Sequence, residues 1–259
     1  MIAAMLSVGS VGNHFSLSIG DVALTFAFEQ GTLAQIARER YQGFQLEGIG
    51  YPVAVSVGGA SFAPGELSWV VNGASVSVQK QGARLHNVHS EYALDSLARV
   101  LMSVLLLPRQ GLLLHASTIL HRGSAHVFMG QSGAGKSTVA GLSAPRQPLT
   151  DEISLLRFSQ GSLWAYGTPF WGGFRSDGTN TKAPVAGIYA LKQAKEHALE
   201  PLSGAEALRA LLGNVLFFSK QPADKREVLQ LAARIVQQLP VRRLCFRCDP
   251  GFWEVISHE

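Results

Sequence analysis

The amino-acid sequence predicts an α/β protein, and three observations along the chain lead to this class. Over the first ninety or so residues, apolar and polar side chains alternate as they do in half-buried strands. From Leu94 onward, apolar residues recur with the spacing of an amphipathic helix. A later apolar run enters a glycine-rich turn and leaves it through Lys-Ser-Thr. We therefore predict a β-rich N-terminal domain over residues 1–90 and an α/β domain over residues 91–259.

The composition indicates a folded chain, because 47% of its 259 residues are hydrophobic and only 15% are charged. The net charge is +4, but the basic residues are scattered, so we predict no nucleic-acid partner. Apolar runs fall well short of the roughly 20 residues that cross a bilayer, so we predict no membrane span. Cys245 and Cys248 lie in a strand-like stretch, where positions three apart face opposite sides. We therefore predict that the two cysteines have no metal or redox role. We also predict that the protein is cytoplasmic.

Two signals mark the N-terminal half of the chain. Asn72-Gly73 separates two apolar runs, which is the strongest short signal for a β-hairpin. A helix is predicted to begin after Ser90, a suitable N-cap, and to end at Pro108. The sequence before this helix contains no catalytic cluster, so we expect the N-terminal sheet to cover the site or to bind a partner.

The second half alternates strands and helices. Apolar stretches on both sides of Arg122-Gly123 predict an antiparallel hairpin whose second strand leads into the glycine-rich turn. A short helix is predicted over Ser137–Leu142, followed by strands around a turn at Gly161. A capping box from Ser203 to Glu206 opens a further helix, and residues 223–239 form another amphipathic helix.

The turn matches the complete P-loop pattern, Gly-x-x-x-x-Gly-Lys-Ser. Glycines let successive backbone N–H groups point at one anion, and a Cβ at Gly133 or Gly135 is expected to obstruct that approach. Lys136 is expected to reach the β- and γ-phosphates, and the Ser137 hydroxyl to ligate Mg²⁺. We therefore predict an ATP site formed by Gly130, Gln131, Ser132, Gly133, Ala134, Gly135, Lys136, Ser137 and Thr138.

Acidic and histidine side chains near the turn are candidates for the chemistry. Asp151 follows Lys136 by fifteen positions (151 − 136), at the mouth of a strand, and is the best candidate for a base or a metal ligand. Glu152 is the second candidate metal ligand, beside Ser137. His115 lies in the strand of the hairpin that precedes the turn, where a functional and a structural role are about equally supported.

A segment at residues 167–175 is rich in glycine and aromatic residues and suits a lid or a substrate loop. Arg175 ends this segment and Lys182 follows it. Either cation could neutralise charge on a transferring phosphoryl group, and at least one of the two is expected to be a surface charge. We assign Arg175 to the nucleotide site.

The segments "LLLHASTILHRGSAHVFMGQSGAGKST", "LTDEISLL" and "GTPFWGGF" resemble the HPr serine kinase/phosphorylase superfamily, and more narrowly its smaller HPr kinase-related proteins. The resemblance covers roughly residues 90–220. It implies the fold of ATP-dependent phosphoenolpyruvate carboxykinase, with the P-loop on a mixed sheet. It also implies that His115 lies near the transferred phosphate, and that Asp151 and Glu152 supply the base and assist the metal.

The chain departs from that superfamily in one region. HPr kinases carry a glutamate-containing, Arg-Gly-rich signature linked to the phosphorylase reaction, whereas this chain has "AYGTPFWGG" there. This difference argues against phosphorolysis and against HPr itself as the acceptor.

The leading hypothesis is an ATP- and Mg²⁺-dependent kinase that phosphorylates a hydroxyl of a peptide or a small protein. Asp151 would be the base, and Lys136 and His115 would complete the catalytic set. Two alternatives stay open: a nucleotide-binding sensor or scaffold without transfer activity, and a small-molecule kinase. Members of the superfamily often assemble, so a homo-oligomer is compatible with the resemblance.

Overall fold

The computed structural model describes residues 13–58, 67–170 and 178–257. The chain divides into two compact units, Met1–Leu105 and Leu106–Glu259. The predicted domain boundary between residues 90 and 91 stays a prediction. Within the described ranges, none of the helices has both the length and the apolar character needed to cross a membrane.

The first unit contains a six-stranded mixed sheet with the order β1-β2-β3-β6-β5-β4. Its strands are antiparallel within the hairpins and parallel where β3 lies between β2 and β6. The elements of this unit are β1 (His14–Ile19), β2 (Val22–Phe28), α1 (Gly31–Arg40), β3 (Tyr51–Val55), β4 (Leu67–Val71), β5 (Ala74–Gln79), β6 (Gly82–His86) and α2 (Glu91–Leu106).

Local sequence signals explain several of these boundaries. Asn72 and Gly73 both have positive φ, 51° and 81°, which matches the twist of the β4–β5 hairpin and confirms the predicted turn. The Ser90 hydroxyl accepts a hydrogen bond from the Ala93 N–H at 3.2 Å, which confirms the predicted N-cap of α2. The helix ends at Leu106, two residues before Pro108.

The second unit is built on a nine-stranded mixed sheet with the main order β11-β10-β7-β8-β12-β15-β13. In addition, β9 and β14 pair with β7, and the beginning of β12 pairs with β11. Its elements are β7 (Gly111–His121), β8 (Ser124–Met129), α3 (Lys136–Leu142), β9 (Pro148–Thr150), β10 (Ile153–Ser159), β11 (Ser162–Tyr166), β12 (Lys182–Gln193), β13 (Ala198–Pro201), α4 (Gly204–Leu212), β14 (Val215–Leu216), α5 (Pro222–Gln238), β15 (Val241–Phe246) and α6 (Phe252–Ser257).

The predicted hairpin before the glycine-rich turn is confirmed, since β7 and β8 are antiparallel around Arg122 and Gly123. On the other edge of β8, strand β12 runs parallel to it. The expected mixed sheet is therefore present, with β8 between one antiparallel and one parallel neighbour. The predicted capping box of Ser203 and Glu206 is also confirmed at the start of α4.

The two faces of this sheet carry different helices. Ala116 belongs to the apolar core formed with α4 and α5. Ile119 and Phe128 belong to the core formed with α3 and α6. Because successive strand residues face opposite sides, His115 and Ser117 face the side that carries α3. The side chain of His115 therefore lies on the same face as the helix that follows the glycine-rich turn.

Candidate functional site

The glycine-rich loop, Gly130–Gly135, follows directly on Met129, the last residue of β8. Met129 is held on both edges of its strand, by Ala116 of β7 and by Ala190 of β12. The loop therefore starts from a fixed point in the middle of the sheet. It ends where α3 begins, with the Val139 N–H donating to the Gly135 carbonyl at 2.8 Å.

The glycines of the loop are required for different reasons. A Cβ on Gly130 would lie 2.6 Å from the Cβ of Ala134, and one on Gly135 would lie 2.6 Å from Cζ of Phe246. Gly135 also has a φ of +104°. Around Gly133 a Cβ would meet no atom within 4 Å, so this glycine is needed for its φ of +81° and not for space within the protein.

Lys136 is buried at the start of α3, and its side chain folds back into the loop. Its Nζ donates to the carbonyl oxygens of Gly130 at 2.8 Å and of Gln131 at 3.2 Å. Burial lowers the pKa of Lys136, while the charge of Glu152 raises it. The Ser117 hydroxyl donates to the Lys136 carbonyl at 3.3 Å, which ties the start of the helix to β7. The ammonium group therefore lies at the beginning of the loop.

Asp151 and Glu152 form the short connection between β9 and β10, which pair with successive parts of β7. The Ala116 N–H donates to the Glu152 carbonyl at 2.9 Å. On its other edge, Ala116 pairs with Met129, the residue before the loop. The acidic pair and the loop thus lie at the same level of the sheet. Their backbones are two strand spacings, or about 10 Å, apart across the sheet.

The two acidic side chains have different environments. Asp151 is buried, with 1% of its surface exposed. The Glu152 side chain is partly exposed, and its Oε1 lies 3.6 Å from Nε2 of His115. The backbone N–H of His115 donates to the backbone carbonyl of Asn214 at 2.7 Å, which fixes this part of β7 against the segment that follows α4. The structure therefore brings His115 and Glu152 together.

Ser137 and Thr138 are exposed on the first turn of α3. Within the described ranges, no group of three or more histidine, cysteine, aspartate and glutamate side chains is arranged to hold a metal ion. Cys245 and Cys248 are both free thiols, and Cys245 donates to Oε1 of Glu200 at 3.4 Å.

Of the two other predicted cations, Lys182 lies in the described part of the chain and Arg175 does not. Lys182 begins β12, and its ammonium lies over the rings of Trp164 and Tyr166 at 5.7 and 5.4 Å. It precedes Ala190, the partner of Met129, by eight residues (190 − 182), or roughly 25 Å along the strand. Lys182 also pairs with Tyr166 of β11, which pairs with Leu155 of β10, the strand that follows the acidic pair. Its predicted role at a transferring phosphoryl group stays a prediction. Arg175 lies outside the described residues, as does the rest of residues 171–177.

Three further features of the site have no motif in the sequence. The Gln193 side chain, at the end of β12, donates to the Gly133 carbonyl at 2.9 Å. Phe246, at the end of β15, packs under Gly135. A cleft of about 740 Å³, here called the α4 cleft, is bounded by residues 130–134 of the loop and by α4. Gln193 and Phe246 come from distant parts of the chain and reach the loop because β12 runs parallel to β8 and β15 runs parallel to β12.

A family model described as "SynChlorMet cassette protein ScmC" matches residues 86–259. This is a different family from the superfamily that the motifs resemble. A solved structure described as the Hpr(Ser) kinase/phosphatase from Coxiella burnetii matches with a TM-score of 0.33 and 15% identity, over 56% of this chain and 94% of that chain. No curated protein matches the sequence.

Proposed function

This chain belongs to the SynChlorMet cassette protein ScmC family, and we propose that it is an ATP-dependent kinase that transfers the γ-phosphoryl group to a hydroxyl. One observation carries this proposal. The glycine-rich loop and the Asp151–Glu152 pair flank the same residue, Ala116, from the two edges of β7. A loop suited to phosphates and carboxylates suited to a metal and a proton thus share one end of a rigid sheet.

The loop fits a chain of phosphates. Positive φ at Gly133 and Gly135 curls the backbone, and such a turn directs N–H groups toward one anion. Lys136 supplies the positive charge from inside the loop. Its ammonium now bonds to the carbonyls of Gly130 and Gln131, and we expect it to exchange these for phosphate oxygens when a nucleotide binds.

The chemistry of three side chains fits Mg²⁺ held together with a nucleotide. Protein sites for Mg²⁺ commonly provide one or two carboxylates and leave the other positions to phosphate oxygens and water. Ser137, Asp151 and Glu152 offer one hydroxyl and two carboxylates. Bound there, the ion supplies positive charge to the phosphate oxygens.

In the proposed reaction Asp151 is the base. It accepts the proton of the acceptor hydroxyl as the hydroxyl oxygen bonds to the γ-phosphorus and the bond to the β–γ bridging oxygen breaks, which releases ADP. Lys136 stabilises negative charge on the phosphoryl oxygens. His115, held near Glu152, orients that carboxylate on the face of the sheet where the hydroxyl must arrive. The acceptor hydroxyl belongs to a serine or threonine of a peptide or a small protein.

The test is transfer from γ-labelled ATP to a panel of serine and threonine peptides. We expect labelled peptide with the wild type and a reduction of at least 100-fold in kcat for Asp151→Asn. Asp224→Asn is the matched control, because Asp224 lies in the first turn of α5, outside the site. Transfer that is equally fast in Asp151→Asn would contradict the assigned role, and ATP binding without transfer to any acceptor would favour a nucleotide sensor.

A further inference from the structure

The acidic pair interrupts a run of chain that otherwise pairs evenly with β7. Thr150 of β9 pairs with Thr118, and Ile153 of β10 pairs with His115. The two pairs are three residues apart on both chains (118 − 115 and 153 − 150), so no residue is inserted between them. The interruption at the acidic pair is therefore a bend in the chain, and the register along β7 is kept.

Two buried threonine hydroxyls hold this bend. Thr150 Oγ1 donates to the Ile153 carbonyl at 3.0 Å, and Thr168 Oγ1 donates to the same carbonyl at 2.5 Å. A carbonyl oxygen has two lone pairs and can accept both protons. Three residues of an extended strand span about 10 Å, so the Thr150 hydroxyl reaches Ile153 only because the chain bends between them. Both threonine side chains are fully buried, which keeps water from replacing these bonds.

The bend decides which face of the sheet the Glu152 side chain reaches. In a regular strand Glu152 would share the face of Leu156, which belongs to the core formed with α4 and α5. Instead, Glu152 Oε1 lies 3.6 Å from Nε2 of His115, whose side chain is on the face that carries α3. The charge of Glu152 also opposes the lowering of the Lys136 pKa by burial. The bend thus brings Glu152 to the face of the helix that follows the glycine-rich loop.

Thr168 reaches the bend from a backbone that is fixed independently of the acidic pair. It follows β11, which pairs with β10 on the edge opposite to β7. The Gly167 N–H donates to the Thr181 carbonyl at 2.9 Å. A Cβ at Gly167 would overlap the carbonyl oxygen of Thr179, so only glycine permits this close approach. The Thr168 hydroxyl is therefore a fixed anchor for the Ile153 carbonyl.

We propose that Thr168 is a positioning residue for phosphoryl transfer: together with Thr150, its hydroxyl holds the bend that turns Glu152 to the face of α3. This inference rests on the proposed kinase function and adds a residue that acts through the acidic pair. A straight strand would send the Asp151 and Glu152 carboxylates to opposite faces, where they could not both serve one Mg²⁺ ion.

The test compares two substitutions of Thr168. Thr168→Val keeps the shape of the side chain and removes the hydroxyl, whereas Thr168→Ser keeps the hydroxyl. We expect kcat for transfer to the serine and threonine peptides to fall about 10- to 100-fold in Thr168→Val and to stay within about threefold of the wild type in Thr168→Ser. The KM for ATP should change little, because neither variant alters the glycine-rich loop.

The matched control is Thr25→Val in the first unit. Thr25 is also buried, and its hydroxyl oxygen accepts from the Gly50 N–H at 2.7 Å and lies 2.8 Å from the Ser16 hydroxyl. We expect this variant to lose a similar amount of thermal stability and to keep its kcat. An undiminished kcat in Thr168→Val, or an equal loss of kcat in Thr168→Ser or Thr25→Val, overturns the inference and leaves the kinase proposal intact.

Binding of Mn²⁺ gives a second measurement that does not depend on transfer. Mn²⁺ takes the oxygen ligands that suit Mg²⁺, and its binding with a non-hydrolysable ATP analogue can be followed by electron paramagnetic resonance. We expect affinity about tenfold weaker or more in Thr168→Val, with recovery in Thr168→Ser. This pattern in a wild type that transfers no phosphoryl group would support the positioning role and contradict the kinase proposal. Equal Mn²⁺ affinity in the wild type and Thr168→Val would overturn the positioning role.

Discussion

His115 Nε2 lies 3.6 Å from Glu152 Oε1, although the two residues belong to different strands and are 37 positions apart (152 − 115). Strands β7 and β10 bring them together, because His115 pairs with Ile153, the residue after Glu152. The contact lies on the face of the sheet that carries Lys136, at the level where the glycine-rich loop leaves β8.

If this contact orients Glu152 for catalysis, the two residues act as one unit. We expect His115→Gln and Glu152→Gln each to lower kcat about tenfold, and the double variant to be no more than slightly worse than either single variant. A double-mutant cycle on kcat measures this coupling. Independent, multiplicative losses would indicate that the contact has no part in transfer.

Gly135 should tolerate substitution less well than Gly133. Gly135→Ala adds a Cβ 2.6 Å from Phe246 and also meets a φ of +104°, so we expect the free energy of unfolding to fall by about 2–4 kcal/mol. Gly133→Ala has only the cost of its φ, about 1–2 kcal/mol. Chemical denaturation of both variants checks the order. Adding Phe246→Leu should recover part of the loss in Gly135→Ala and none in Gly133→Ala.

Gln193 is expected to act on nucleotide affinity through the shape of the loop. Gln193→Leu removes the hydrogen bond to the Gly133 carbonyl, so we expect ATP to bind about five- to tenfold more weakly while the melting temperature changes little. Titration calorimetry measures the affinity. Gln238→Leu is the matched control, because Gln238 also donates to a backbone carbonyl, that of Gly161 in the β10–β11 turn. Equal ATP affinity in the Gln193 and Gln238 variants would remove Gln193 from the site.

His126 should make the fold sensitive to acid. Burial, followed by the charges of His121 and Arg146, lowers the pKa of His126 to about 4. Below about pH 6.5 the unfolded chain binds a proton that the folded chain does not, so stability is lost as the pH falls from 6.5 towards 4. We expect wild-type protein to lose on the order of 2–3 kcal/mol more than His126→Gln over this interval. Denaturation at several pH values measures the difference, with the exposed His14→Gln as the control. Equal acid sensitivity in wild type and His126→Gln would exclude His126 as the cause.

Local sequence signals were sufficient to predict the glycine-rich loop, the hairpin that precedes it and the capping box at the start of α4. The positive-φ turn at Arg122-Gly123, the capping box of Ser203 and the glycine-rich loop each depend on a few adjacent residues. These signals could not reveal Gln193 or Phe246, because their contacts with the loop arise only from the pairing of β12 with β8 and β15.

The sequence also could not show where Lys182 lies relative to the acidic pair, because nothing near it indicates which strands β12 joins. In the structure β12 is a strand of 12 residues that pairs first with β11 and then with β8. The same long-range pairing forms the α4 cleft, since its two walls lie some seventy residues apart in the chain.

The central claim is that ATP bound at the glycine-rich loop gives its γ-phosphoryl group to a hydroxyl, and phosphorus NMR of a single reaction mixture tests it most directly. With a serine peptide from the acceptor panel and Mg²⁺, we predict that a phosphoester signal grows in step with ADP and that little inorganic phosphate forms. Lys136→Met should abolish both signals. ADP that forms only with inorganic phosphate, or ATP that stays unchanged although it binds, would contradict the claim.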